Sequence, residues 1–226
     1  MNRFQNENPP QYPQKIIHTT EGSLEITHSN QVWQIDHAGL DIQLTDEDKK
    51  QVLGRPYITL VMDSYSDCVT GFNLGFEPPG SNEVALALRH AISLKHYGPE
   101  YELQQTWDIC GIPEYIVTDH AKEFKSEHFR HISLHLGFKQ RFVAFPYLGG
   151  LIKPIFDKIN KEVLSYFYGY IGSTVKERPP EAEKIACLTL NQLERILVRY
   201  FVDHYNPHST PKIGTQRKQQ INQKYW

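Results

Sequence analysis

Cysteine is scarce in this chain, with three in 226 residues. Cys68, Cys110 and Cys187 lie far apart and are odd in number, which excludes a disulfide framework and a Cys-x-x-Cys metal site; they read most simply as core thiols. Long apolar runs are missing too. None approaches the roughly 20 residues that cross a bilayer, and Met1 to Gln14 is polar and proline-rich without the apolar stretch of a signal peptide, so a cytosolic, cytoplasmic protein with no membrane partner is expected. No Gly-rich phosphate loop and no Ser-His-Asp arrangement is visible, which disfavours an NTPase or an acyl-transfer enzyme. There is no internal repeat. A large excess of charge of one sign is also absent: the net charge is −2, and a uniformly basic nucleic-acid binder is excluded with it.

What is present fits one main globular unit, since 39% hydrophobic and 12% aromatic residues over this length can bury one sizeable core. The charge is unevenly spread. Asp36 to Asp119 holds 14 acids against 5 Lys or Arg, a net of −9, whereas His120 to Lys161 holds 8 Lys or Arg against 3 acids, a net of +5. The basic residues are Lys122, Lys125, Arg130, Lys139, Arg141, Lys153, Lys158 and Lys161, and Lys212, Arg217, Lys218 and Lys224 follow in the tail. Such asymmetry suits a protein that meets a polyanion with one face, because phosphate contacts need cations locally and not globally. A solvated helix face is the plainer alternative.

Residues 1–30 carry Pro9, Pro10 and Pro13 and little periodicity, and read as an extended N-terminal arm or linker. Three β-like runs follow, Val32 to Ile42, Arg55 to Asp63 and Val69 to Phe76, whose short connections imply an antiparallel meander. Ser81 is placed to cap a helix running to about His96, with an apolar face of Val84, Leu88, Ala91 and Ile92. A short buried strand from Tyr115 to Thr118 ends at Asp119. Ser126 opens a second helix that Gly137 ends, Arg141 to Phe145 reads as a strand, Pro146 to Gly150 as a loop, and 151–170 as a helix with Pro154 in its first turn. Thr189 with Gln192 forms a capping box for a last helix. The order βββ-α-β-α-β gives an α/β fold: a mixed five-stranded sheet flanked by helices, occupying 31–170, with a C-terminal helix and basic tail over 171–226.

In that order the fourth strand lies parallel beside the first, which brings Asp36 and Asp119 to matching strand ends. Paired carboxylates from separate strands are what two-metal phosphoryl transfer uses to hold Mg²⁺ ions about 3.5–4 Å apart. Asp63 and Asp67 flank a strand-to-strand turn and read as turn formers. His128, His131 and His135 share one helical face, but without cysteines or a nearby acid pair they read as a surface or DNA-facing helix and not as a zinc site. Trp33, Trp107 and Trp226 read as packing residues.

Several motifs in order carry a resemblance. Trp33-Gln34-Ile35-Asp36-His37, Gly54-Arg55-Pro56-Tyr57-Ile58-Thr59, Asp63-Ser64-Tyr65-Ser66, Gly111-Ile112-Pro113, Thr118-Asp119, Phe124-Lys125-Ser126, Leu136-Gly137-Phe138 and Gly149-Gly150 resemble the integrase-type core of DDE transposases, in particular the TnsB/TniA group of Tn7-like elements. The match runs from about Trp33 to Asn160, with weaker echoes at Tyr205-Asn206-Pro207-His208. The resemblance implies an RNase H-like fold that cuts transposon ends and joins them to target DNA with Mg²⁺ (or Mn²⁺), Asp36 and Asp119 being the first two carboxylates. It also implies a homo-oligomer on DNA and an ATPase regulator as partners.

The departures from the family pattern matter as much. The catalytic Glu of the family falls on Lys153, whose ammonium cannot ligate a cation, and His120 and Ala121 stand where small, glycine-like residues are usual. Asp157 lies one turn beyond Lys153 on the same helix face and is the candidate substitute, although displaced by about 6 Å along the axis. Two readings stay open: a transposition protein that is catalytically impaired as written, or an active Mg²⁺-dependent strand transferase using an unusual third ligand such as Asp157. An introduced lysine that traps an inactive form is a third. No helix-turn-helix is evident before Trp33 and no β-barrel follows Trp226, so the chain is expected to be a fragment or a shortened gene product, with recognition of specific DNA ends lying elsewhere.

Overall fold

Val32, Trp33, Gln34 and Ile35 are all buried, and a strand of β-branched and aromatic residues covered on both faces belongs at the centre of a sheet. That is where the structure, a computed structural model, places it; residues 15–145, 152–172 and 186–209 are described. This strand, Val32–Gly39, is β3, because a hairpin precedes it: β1 (Lys15–Thr19) pairs antiparallel with β2 (Gly22–Ile26). The expectation of an extended arm up to residue 30 is therefore corrected over 15–26. The run Lys15-Ile16-Ile17-His18-Thr19 has no apolar–polar alternation to mark it as a strand, and the hairpin is tied to the sheet by Thr20 N–H donating to Phe142 O and Ala144 N–H to His18 O, both at 2.9 Å.

The remaining strands are β4 (Leu44–Thr45), β5 (Val52–Gly54), β6 (Tyr57–Asp63), β7 (Val69–Gly75), β8 (Tyr115–Thr118) and β9 (Lys139–Phe142). The main sheet has the order β7-β6-β3-β8-β9. β3 pairs antiparallel with β6 and parallel with β8, and β8 pairs parallel with β9. The mixed five-stranded α/β sheet, RNase H-like, is as the sequence implies. β9 starts two residues earlier than expected because Gly137, at φ +79°, ends the preceding helix and turns the chain directly into register with Tyr115. The first expected strand stops at Gly39 instead of Ile42, and the small β4–β5 ribbon takes up the acidic turn, where Asp46 accepts from Lys50 and Gln51 N–H.

Helices cover both faces. α1 (Ser81–Ile92) and α2 (Glu127–Leu136) bury Val84, Leu88, Ala91 and Phe129 with Trp33, Ile35 and Ile116 on one side. α3 (Lys153–Lys158) and α4 (Leu190–Arg199) bury Ile155, Leu193 and Leu197 with Leu60, Met62 and Trp107 on the other. Ser126 caps α2 by accepting from Phe129 N–H, and the Thr189–Gln192 capping box forms. Ser81 does not cap α1; Gly80 is the N-cap, and the Ser81 hydroxyl meets His128 Nδ1 at 3.0 Å. The helix expected over 151–170 holds Pro154 in its first turn but passes into a wide π turn at Ile159 and ends in a 3₁₀ turn at Tyr166. Asn160 sits in the π turn and accepts from Asp41 N–H, docking it on the strand that leaves β3. In the Tyr205-Asn206-Pro207-His208 segment, Asn206 is buried and bonds both Val69 N–H (2.8 Å) and Val69 O (3.0 Å), finishing the β7 edge as a further strand would. The loop over 146–150, the Gly149-Gly150 pair, the basic tail and Trp226 lie outside the described residues.

Asp63 is fully buried and accepts from Asn30 N–H, Ser66 N–H and the Ser66 hydroxyl, so it is the turn former that the sequence indicates. Burial raises its carboxyl above the ordinary range, and those donors oppose the rise. Cys68 is buried, whereas Cys110 and Cys187 are only half-buried.

A stability prediction arises from α1. His90 is wedged among Phe72, Trp107 and Tyr97, with Phe72 N–H donating to Nδ1 at 3.0 Å and Nε2 meeting the Tyr97 hydroxyl at 2.9 Å. Burial, helped by Lys95 and Arg89, lowers its pKa from 6.5 to about 4. The unfolded chain therefore binds a proton between those values that the folded chain does not, and stability falls as the pH drops from about 6.5 towards 4. The loss is on the order of 3 kcal/mol. Chemical denaturation at pH 7 and pH 4.5 should show it, and His90→Gln should flatten the acid limb.

Candidate active site

The register of β3 and β8 pairs Trp33 with Ile116 and Gln34 with Val117. Two residues beyond that last pair stand Asp36, midway along β3 just past its pairing with β8, and Asp119, the residue after β8. The two acids thus occupy equivalent places where the β3–β8 ladder ends, at the rim where open α/β sheets bind ligands. The expectation of a strand end at Asp36 is corrected, since β3 runs on to Gly39 against β6. Each is held by a backbone amide just beyond it: His37 N–H donates to Asp36 Oδ1 at 2.8 Å, and Ala121 N–H to Asp119 Oδ1 at 3.0 Å. Both side chains are thereby fixed before any ligand arrives.

The electrostatics of Asp36 identify its neighbours. Burial raises its carboxyl first, the His37 amide lowers it, Asp119 raises it, Lys153 lowers it and Glu123 raises it. Two like charges and one opposite charge thus act on Asp36 from three different segments. Lys153, the first residue of α3, acts on Asp36 as the opposite charge, and it offsets part of the repulsion from Asp119 and Glu123. Asp157 is exposed on the same helix.

Glu123 was missed in the sequence, where it counted only as one acid in a basic segment. It sits in the 3₁₀ turn Lys122–Lys125 directly after Asp119, with its side chain 10% exposed, and its Oε1 lies 3.3 Å from Nε2 of His37, which is 7% exposed. The two are close as an ion pair yet not aligned as a hydrogen bond. Thr59 holds the other ring nitrogen of His37 at 2.9 Å, and Phe124 stacks on the ring at 5.2 Å. Burial keeps the His37 imidazole below its ordinary pKa while Glu123, Asp119 and Glu83 pull it up. The Phe124 stack, with Glu123 beside the ring, fastens the turn after Asp119 to the strand carrying Asp36. No local pattern marks Glu123 in the sequence, because its place depends on His37 being buried beside it.

Among the described residues no group of three His, Cys, Asp or Glu side chains is arranged to hold a metal ion. That includes His128, His131 and His135, which are exposed on α2. The expected basic residues do not form one patch. Lys122 and Lys125 flank Glu123 on the turn after Asp119. Lys139 and Arg141 both lie over the Tyr115 ring, at 5.8 and 5.6 Å, and Arg141 also pairs with Glu21 at 2.7 Å. Arg130 is paired with Glu127 at 2.6 Å. Lys158, over Tyr205 at 5.5 Å, and Lys161 belong to the α3 segment on the opposite face of the sheet. No helix among the described residues is long and apolar enough to cross a membrane.

Comparison with known proteins gives the family. The chain is 34% identical over 151 residues to the transposase for transposon Tn552 of Staphylococcus aureus, covering 66% of this chain and 30% of that protein. It is 25% identical over 186 residues to the Tn7 transposition protein TnsB of Escherichia coli, covering 74% of this chain and 25% of that protein. It thus spans less than a third of the length of either. Similar solved structures include the HTLV-2 integrase catalytic core domain in complex with magnesium, at 21% identity and a TM-score of 0.40, covering 61% of this chain and 71% of that one. Another is a simian T-cell lymphotropic virus intasome, at 21% identity and a TM-score of 0.45, covering 79% of this chain and 52% of that one. The model of the TnsB C-terminal domain matches residues 34–169, which contain Asp36, Asp119 and Lys153, and the chain belongs to that family.

Proposed function

We propose that this chain is the core of a DNA transposition protein that engages DNA at the Asp36–Asp119 rim and is catalytically impaired as written. The observation that carries the reading is the in-register placement of the two acids where the pairing of β3 with β8 ends, with the Lys153 charge acting on the same site. Asp36 and Asp119 fit a divalent cation, Mg²⁺ or Mn²⁺, because both are anchored acceptors and the mutual repulsion that raises Asp36 is relieved by positive charge. Such an ion, when bound, activates the attacking oxygen and stabilises the leaving one.

Lys153 changes what the rim does best. Its ammonium competes with a cation for the same negative potential and supplies three donors suited to a phosphate oxygen. A lysine beside two acids therefore weakens the hold on a second cation, which is what impairs a two-metal centre, while its own donors remain available to a phosphate oxygen that an already bound ion draws to the rim. Asp36 and Asp119 keep the role of metal ligands, Lys153 that of the residue in the third position, and Glu123 positions the turn between them. Asp157, exposed one turn away, is the weaker candidate for a third ligand.

The basic side chains Lys122, Lys125, Arg130, Lys139, Arg141, Lys158 and Lys161 would meet the DNA backbone on both sides of that rim. DNA as transposon end and target, assembly into a homo-oligomer on it, and an ATPase regulator are the partners this reading implies. Binding to nonspecific duplex should weaken steeply with salt, with log K falling by about 0.9 per neutralised phosphate for each unit of log salt. Fluorescence anisotropy between low and moderate ionic strength checks this. An affinity that stays flat, or no binding, would leave those charges as ordinary solvation.

A further inference from the structure

Beside Asp119 a flat aromatic surface faces outward. His120 is exposed, yet its ring is not free: it lies parallel to Phe142, with centroids 5.0 Å apart and 14° between planes, and its Nε2 is 3.3 Å from Val143 O. Phe142 is anchored in turn, being half-buried against the core beneath α1 and α2. Lys125 Nζ stands 6.0 Å from the centre of the Phe142 ring, and Lys122 opens the same turn. An exposed imidazole held on one face by a stacked ring and at its edge by a carbonyl presents its other face already oriented. A planar π surface with an ammonium group beside it and a second lysine on the same turn matches an unpaired nucleotide, whose base stacks while its phosphate meets the lysines.

We infer that His120, seated on Phe142, is a stacking platform for an unpaired nucleobase next to the Asp36–Asp119 rim, with Lys125 and Lys122 holding the adjoining phosphate. The inference rests on the proposed engagement of DNA and adds to it a preference: DNA with a displaced or single-stranded base at the rim binds better than a fully paired duplex. Stacking tolerates any base, so the preference is for strand separation and not for a sequence.

The test compares the affinities of the chain for a blunt duplex and for the same duplex with a short single-stranded extension carrying 2-aminopurine. The unmodified chain should favour the extended DNA by about tenfold and quench the 2-aminopurine fluorescence on binding. His120→Ala should bring the ratio of the two affinities to about one and abolish quenching, whereas His120→Phe, which keeps a ring without ring nitrogens, should retain both. Phe142→Leu, which unseats the platform, should behave as His120→Ala, and Lys125→Ala, which removes the ammonium assigned to the adjoining phosphate, should weaken the extended DNA more than the blunt duplex. A ratio unchanged by His120→Ala, or equal affinities without quenching in the unmodified chain, would overturn the platform while leaving DNA engagement standing. No binding to either DNA would overturn both.

Discussion

Lys153→Glu should nick supercoiled plasmid in the presence of Mn²⁺ where the unmodified chain is expected to give no detectable cleavage, provided that any DNA-recognition segments the chain needs are supplied. The reason is local charge. In the unmodified chain the lysine at the start of α3 lowers the Asp36 carboxyl, acting as a built-in cation at the rim. Exchanging it for a carboxylate removes the competitor and adds a ligand. Outer-shell changes at metal sites alone cost about 10–100-fold in affinity or activity, so restoring a direct ligand should gain at least about 100-fold. The competing possibility, that Asp157 already completes the site, forecasts nicking by the unmodified chain that Asp157→Asn abolishes. Robust nicking by the unmodified chain would show that Lys153 is no obstacle.

The second large effect concerns how α1 sits on the sheet. A Cβ built on Gly71 of β7 would lie 2.5 Å from Ala91 N, 2.6 Å from its Cα and 2.8 Å from its Cβ. Two of those atoms are backbone, so no rotamer change relieves the clash and the helix must move away from the strand. Gly71→Ala should therefore destabilise the fold by about 3 kcal/mol, at the upper end for overpacking of a filled core. For a chain of this length that is a drop in Tm of roughly 6–12 °C. Differential scanning calorimetry measures it, with Gly75→Ala as the control, since a Cβ there meets nothing within 4 Å. Equal losses in the two variants would mean that the α1–β7 packing is not the constraint described.

Much of this architecture is legible in the sequence because local chemistry and global arrangement agree. The three-strand meander, the buried run Tyr115–Thr118 and the capping residues Ser126, Gly137 and Thr189 each specify their own element, and the parallel pairing of β3 with β8 follows from their order. What escaped depends on tertiary contacts. β1 and β2 form a marginal ribbon on their own and are held by backbone bonds to Phe142 and Ala144, far away in sequence. The break of the 151–170 helix at Ile159 is set by Asn160 reaching Asp41, which no periodicity reports. At the candidate site, Asp119 and Lys153 are visible as strand-end and helix-start residues and Asp36 as an acid within a β-like run, although the strand continues three residues past it. Glu123 is not, because its importance comes from His37 being buried against it.

The most direct test of the Asp36–Asp119 assignment is Mn²⁺ binding followed by electron paramagnetic resonance, which reads the metal without requiring turnover. Three proteins are compared: the unmodified chain, Lys153→Glu, and Lys153→Glu combined with Asp36→Asn. The expected result is weak binding in the first, at least about tenfold tighter binding in the second, and loss of that gain in the third. Binding by Lys153→Glu no tighter than by the unmodified chain, or a gain that survives Asp36→Asn, would contradict the placement of the metal site between β3, β8 and the start of α3.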